Sequence, residues 1–185
     1  MALTPSNMLP LGTELPSFKL PDTTSAEFKL VTANEVSGQL VLVGFICNHC
    51  PFVIHIIEQL AQSLKQYQKN HVGCVLISSN DVLSYPQDGP DKMTEFAKKY
   101  DISVPYLYDE SQAVAQAFQA ACTPEFYLFD QERKLVYRGQ FDASRPATDI
   151  EVTGEDLDQA IELALQGKQL AEQQPSIGCN IKWKS

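Results

Sequence analysis

The apolar positions of this chain fall into short continuous runs separated by helical stripes. Residues 40–46 (LVLVGFI), opened by Gly38, predict a strand buried on both faces, as in the middle of an α/β sheet. Pro51 suits the first turn of a helix, where its missing N–H costs nothing. Beyond it Ile54, Ile57, Ala61 and Leu64 recur at helical spacing, which predicts a helix ending near Asn70 with these side chains inward. Residues 73–78 (GCVLIS) predict a second buried strand. Strand, helix and strand in that order form a right-handed unit, so the two strands are expected to be parallel.

Residues 1–22 carry Pro5, Pro10, Pro16 and Pro21 without periodicity, which predicts an extended arm over the surface. Residues 27–30 are a candidate strand, paired with residues 18–20 across the turn at 22–25. Pro90 opens a predicted helix to Tyr100 with Met93, Phe96 and Ala97 inward, and residues 106–108 are a candidate strand. Asp109 with Gln112 resembles a capping box for a helix over 111–120. Thr153 with Asp156 resembles another, for a helix to about Gly167 with Leu157, Ile161, Ala164 and Leu165 inward. Residues 125–129 and 135–140 flank the turn-rich stretch 130–133 and predict a β-hairpin. The tail, 175–185, is expected to be irregular, with Ile177, Ile181 and Trp183 spaced as if it docks somewhere.

A length of 185 residues, 44% of them hydrophobic, fits one domain with one sizeable core. Fourteen basic against 23 acidic side chains give a net charge of -9, which argues against nucleic acid or an anionic membrane as partner, since both need a basic field. The first ten residues lack the basic-then-apolar pattern of a secretory signal, and the run at 40–47 is too short to span a bilayer. A soluble, cytoplasmic protein is therefore expected. Five cysteines is an odd count, unlike a secreted disulfide framework. In a reducing cytosol such cysteines are buried, metal-bound or chemically active.

One constellation stands out: Cys47-Asn48-His49-Cys50, between a predicted buried strand and the first turn of a helix. Two intervening residues let the sulfurs reach disulfide distance, and the helix N-terminus favours a thiolate. Cys47, at the edge of the sheet, is expected to be the reachable attacking thiolate and Cys50 the covered resolving partner. The competing reading is half of a zinc site, although no second C-x-x-C or H-x-x-H pair accompanies it. A positive His49 beside Cys50 would stabilise a thiolate and raise the oxidising power of the pair; otherwise it is a solvated histidine. Cys122-Thr123-Pro124 precedes the strand at 125–129, and a proline there belongs at the strand's first residue and admits a cis bond.

The order of strand, C-x-x-C helix, strand, helix, Thr-Pro, hairpin and helix resembles the thioredoxin superfamily. More narrowly, the chain resembles the peroxiredoxin-like branch of the alkyl hydroperoxide reductase/thiol-specific antioxidant (AhpC/TSA) family. That likeness rests on Phe45-Ile46-Cys47-Asn48-His49-Cys50-Pro51, Ala121-Cys122-Thr123-Pro124-Glu125-Phe126, Tyr137-Arg138-Gly139-Gln140-Phe141, Ser144-Arg145-Pro146 and Ser176-Ile177-Gly178-Cys179. It implies one thioredoxin-like α/β domain over 1–185, with a core at about 16–168 and a tail at 169–185. The implied architecture is a central mixed β-sheet with helices on both faces and an N-terminal extended or hairpin extension.

The resemblance further implies that Pro124 is a cis-proline packed against the active site, that Thr123 lines it, and that Cys122 lies near Cys47. Two departures stand beside it. Neither cysteine is preceded by the Pro-x-x-x-Thr/Ser-x-x pattern of peroxiredoxins, and residues 40–46 hold no buried acid of the thioredoxin kind.

The expected function is thiol–disulfide oxidoreduction by Cys47 and Cys50, with Asn48, His49, Pro51, Thr123 and Pro124 tuning or lining the site. The alternatives are a thiol peroxidase and a non-catalytic metal-binding protein using Cys47, Cys50 and either His49 or Cys122. The redox readings call for no cofactor and no metal. Their partners are protein or small-molecule thiols and disulfides, or peroxides, with the electron donor open. Cys122 and Cys179 are candidate third redox cysteines. Cys74 is expected in the core, Arg138 and Arg145 as loop-bracing or substrate-orienting groups, and His55 and His71 as structural or solvated.

Overall fold

The computed structural model of the protein describes residues 3–184. In chain order the elements are β1 (Leu3–Pro5), β2 (Lys19–Pro21), β3 (Leu30–Thr32), β4 (Leu40–Phe45), α1 (Pro51–Lys69), β5 (Val72–Ser78) and α2 (Pro90–Lys99). They continue with β6 (Tyr106–Tyr108), α3 (Ala113–Ala117), β7 (Cys122–Thr123), β8 (Glu125–Phe129), β9 (Leu135–Gly139), α4 (Glu155–Leu165) and β10 (Ile177–Asn180).

The central sheet has five strands in the order β6-β5-β4-β8-β9. β4, β5 and β6 run parallel, while β8 and β9 are antiparallel to their neighbours. All six residues of β4 are buried, because side chains alternate between two covered faces. Leu40, Leu42 and, just past the strand, Ile46 pack with Val53 and Ile57 of α1, Met93 of α2 and Leu157 of α4. Val41, Val43 and Phe45 pack on the other side with Val114 and Ala115 of α3, with Phe118, and with Leu9 and Phe18 of the N-terminal arm. The fold is thioredoxin-like, a mixed sheet between helices. Among the described residues no helix is long and apolar enough to cross a membrane.

Several local expectations are corrected. The arm is not merely superficial, since Leu9 and Phe18 enter the core. The early strand starts at Leu30 rather than Glu27, and pairs with β2. Ile54 points outward, because α1 takes its phase from Val53, Ile56, Ile57, Leu60 and Leu64. Leu165 is likewise exposed at the end of α4.

Neither proposed capping box forms. Gln112 adopts a left-handed backbone and its amide donates to the carbonyls of Ser79 and Lys182, so α3 shrinks to five residues. At α4 the cap residue is Gly154, with φ 77°, and Asp142 accepts from the Thr153 and Gly154 N–H groups. The tail is ordered and contains β10, which lies between β1 and β7 in a small antiparallel sheet.

Candidate active site

β4 ends at Phe45 and α1 begins at Pro51, so Cys47 and Cys50 occupy the switch from strand to helix. Cys50 is the N-cap residue of α1, directly before the proline that opens the helix. Opposite it stands the Thr123–Pro124 bond, which is cis. The Cys47 Sγ lies 3.5 Å from the Thr123 hydroxyl, and the Cys50 thiol donates to the Thr123 carbonyl oxygen at 3.2 Å. β10 brings Cys179 to the same place, with its Sγ hydrogen-bonded to that of Cys50 at 2.8 Å. No disulfide is formed among the described residues.

The structure buries both members of the pair: Cys47 is 1% and Cys50 0% exposed. The expectation of a reachable Cys47 is therefore corrected, since the loop carrying it folds inward against Thr123 and the 80–88 segment. Within the pair, hydrogen bonding favours the charged form on Cys50 over Cys47. Cys50 accepts a hydrogen bond from the Cys47 thiol, and further bonds come from the Cys179 thiol and the Val53 and Cys179 N–H groups. Despite burial, these donors hold Cys50 at about 5. Cys47 is pushed well above the usual thiol range by sharing its proton with Cys50, by burial and by the nearby charge of Asp88. The hydrogen bonds from Cys47 and then Cys179 lower the Cys50 pKa most, and the free N–H of the first turn of α1, at Val53, adds to them. The Thr123 carbonyl, which accepts from the Cys50 thiol, opposes its ionisation.

His49 does not turn to Cys50. Its Nδ1 lies 2.7 Å from Asp88 Oδ2 and its ring stacks on Tyr85. Asp88 is fully buried and also accepts from the Asn48 N–H and the Asn80 side-chain amide, both at 2.8 Å. Asn48 is further fixed by donating to the Gln87 carbonyl and accepting from the Tyr106 hydroxyl. Cys47, His49 and Asp88 present ligand atoms within 4.8 Å of one another, a grouping that could hold a metal ion. Both carboxylate oxygens of Asp88 are already committed to donors, so a metal there would have to displace at least one of them.

Cys122 is buried beside Glu125, and its thiol is pushed up by burial and by that carboxylate. Glu125 is itself fully buried, hydrogen-bonded to the Ser6 hydroxyl and to the Ala121 and Cys122 N–H groups. Cys179 is raised to about 12 by burial, by its hydrogen bond to Cys50 and by the Cys50 charge. Cys74 lies in the core, its thiol turned to the Val72 carbonyl. Arg145 donates to the carbonyls of Asp142 and Ser144, Arg138 to Gln173, and His55 pairs with Ser144, so all three brace loops. Asp88, Glu125 and Asn80 were missed in the sequence. The only signal available was the placement of Glu125 directly after the Thr-Pro pair.

Beside Pro124 a crevice of about 20 Å³ is lined by Phe52, Ile56, Phe141 and Ile177, with room for little more than one water. Much larger clefts lie elsewhere, one of them of about 450 Å³ at the far end of β4 and β5 around Gly38 and His71. The cysteines, not cavity size, mark the site.

Fold and site together define a thioredoxin-like protein with a cluster of thiols at the head of a helix. The chain belongs to the AhpC/TSA family, whose profile matches residues 11–138. An uncharacterized conserved protein from Geobacillus kaustophilus shares 45% identity at a TM-score of 0.96, covering 100% of this chain and 97% of that one. A hypothetical protein from Sinorhizobium meliloti 1021 shares 44% identity at a TM-score of 0.94, covering 98% and 99%. Peroxidoxin BcpB from Mycobacterium tuberculosis, at 17% identity and a TM-score of 0.63 over 86% and 98% of the two chains, shares the fold. No curated protein matches the chain in sequence. Family and neighbours are oxidoreductase-like, which makes this a redox protein in general terms.

Proposed function

We propose that the protein is a thiol–disulfide oxidoreductase in which Cys50 is the nucleophile and Cys47 the thiol that closes the intramolecular disulfide. The observation that carries this reading is the place of Cys50, at the N-cap of α1 with the Cys179 sulfur 2.8 Å away, where hydrogen bonds from its neighbours favour the thiolate. The Cys50 thiolate attacks one sulfur of a substrate disulfide, forming a mixed disulfide and releasing the other substrate sulfur as a thiolate. Cys47 then gives up its proton and attacks the Cys50 sulfur, and the second substrate thiolate leaves with that proton. Thr123 donates to Cys47 and eases its ionisation. The partners are protein or small-molecule disulfides.

A peroxide is the second reading, favoured by the adjacency of a thiolate and a thiol. Cys50 would be oxidised to a sulfenic acid with release of an alcohol or water, and Cys47 would condense with it, releasing water. The test is a thiol redox titration of wild type, Cys47→Ser and Cys50→Ser, read by mass after alkylation. A reversible two-electron couple requiring Cys50 is expected. A wild-type protein that takes up neither a mixed nor an intramolecular disulfide, and instead retains stoichiometric metal, would overturn the enzyme reading in favour of metal binding.

A further inference from the structure

Cys50 has two thiol neighbours, not one. Cys47 approaches from the loop before α1, and Cys179 from β10 at 2.8 Å, less than an ångström beyond the length of a disulfide bond (about 2.05 Å). Cys179 is not placed there by chance packing of a loose tail. It pairs with Thr123 on one side and Leu3 on the other. The following residues are tied down as well: the Ile181 N–H donates to the Ala121 carbonyl, and the Lys182 N–H to the Asn80 side chain at 2.8 Å. Gly178 permits the close approach, since a Cβ there would sit 2.0 Å from the Thr123 carbonyl oxygen. Cys122, by contrast, has its thiol turned toward Glu125 and the Pro124 carbonyl.

We propose that Cys179 is a second resolving thiol for Cys50, so that the site is a three-cysteine switch with two alternative disulfides. The inference rests on the reading of Cys50 as the nucleophile. In the second branch, substrate is bound to Cys50 as a mixed disulfide. Cys179 loses its proton and attacks the Cys50 sulfur. The bond from Cys50 to substrate breaks, the Cys50–Cys179 bond forms, and the substrate thiolate leaves with the proton. Two electrons have passed from Cys50 and Cys179 to the substrate disulfide, and Cys47 remains a thiol. Cys47 can then attack Cys50 in turn, exchanging the Cys50–Cys179 bond for Cys47–Cys50 with no net change in electrons. This gives the oxidised protein one disulfide facing the α1 loop and another locking β10 to the head of α1.

The test is oxidation of the reduced full-length chain by glutathione disulfide, followed by alkylation and peptide mass mapping. The variants are Cys47→Ser, Cys179→Ser and the pair together. Each single variant is expected to discharge its glutathione and form an intramolecular disulfide, Cys50–Cys179 in the first and Cys47–Cys50 in the second. The double variant is expected to hold glutathione on Cys50. A Cys47→Ser protein that traps glutathione as the double variant does, or that links Cys50 to Cys122, overturns the proposal while leaving the oxidoreductase reading intact. Failure of wild type to accept glutathione at all would instead strike the oxidoreductase reading. Cys179→Ala serves as a second variant: retained Cys47–Cys50 closure in it shows that the site still folds without the third sulfur.

Discussion

Thr123 and Cys179 are direct partners across the β7–β10 ladder, and through that pairing one threonine touches the whole thiol cluster. Its hydroxyl meets Cys47, its carbonyl meets Cys50, and its backbone holds the strand that carries Cys179. The cluster is therefore assembled by a strand of only two residues, set between α3 and β8.

Because the ladder needs a residue without a side chain next to Cys179, Gly178→Ala should push β10 away from β7. The expected outcome is loss of the Cys50–Cys179 disulfide with the Cys47–Cys50 disulfide retained, read by mass mapping after oxidation. Equal yields of both disulfides in wild type and variant would show that the strand tolerates the methyl group.

The reduced protein should be less stable in mild acid than at neutral pH. Cys50 ionises at about 5 in the folded chain, against about 8.5 for an ordinary thiol. Between those values the unfolded chain keeps a proton that the folded chain has released, so stability rises with pH and is lost as pH falls through about 5. Above about 8.5 the raised Cys47 and Cys179 act in the opposite sense, since the unfolded chain sheds protons that the folded one keeps. Denaturant midpoints of the reduced chain across this range should pass through a maximum, and Cys50→Ser should lack the rising limb. A rising limb of the same height in that variant would assign it to other groups.

Asp88→Asn separates charge from shape. The carboxylate accepts from Asn48, His49 and Asn80, and an amide cannot accept all three, so a loss on the order of 1–3 kcal/mol in stability is expected. The variant also removes a negative charge facing Cys47, whose ionisation should move to lower pH. Thiolate absorbance of the reduced protein would show the second ionisation of the Cys47–Cys50 pair shifting down. A second step that stays in place would mean that burial and the shared proton alone set it.

The central frame was legible in the sequence because its signals are local. The apolar run of β4, the proline opening α1 and the hairpin of β8 and β9 each declare themselves within a few residues. The misplacements have long-range causes. Gln112 and Thr153 sit in good capping sequences, yet Ser79, Lys182 and Asp142, brought in from elsewhere in the chain, compete successfully for the same groups. Ile54 fits the helical stripe as well as Val53 does, and only the packed sheet decides between them. β10 carries no strand pattern in Ile-Gly-Cys-Asn, because its partners are two equally short strands far away in sequence. The site followed the same division. The cysteines and the Thr-Pro pair were visible as motifs, whereas Asp88 and Glu125 look like ordinary acids until the fold buries them. How the two sulfurs share a proton could not be read from spacing, since it depends on the groups that the fold brings around them.

The burial of Cys47, Cys50 and Cys179 means that the rate at which this centre meets a partner is governed by how often the chain breathes. β10 is joined to β7 through two paired positions and to β1 through three, a small ladder by the standards of the central sheet. Transient detachment of that ladder would bare the sulfurs, and observed reactivity would then be the intrinsic rate multiplied by the open fraction. Substitutions that tighten the ladder should accordingly give a sturdier and slower protein, with amide exchange at Cys179 and Asn180 falling in step with the rate of thiol modification.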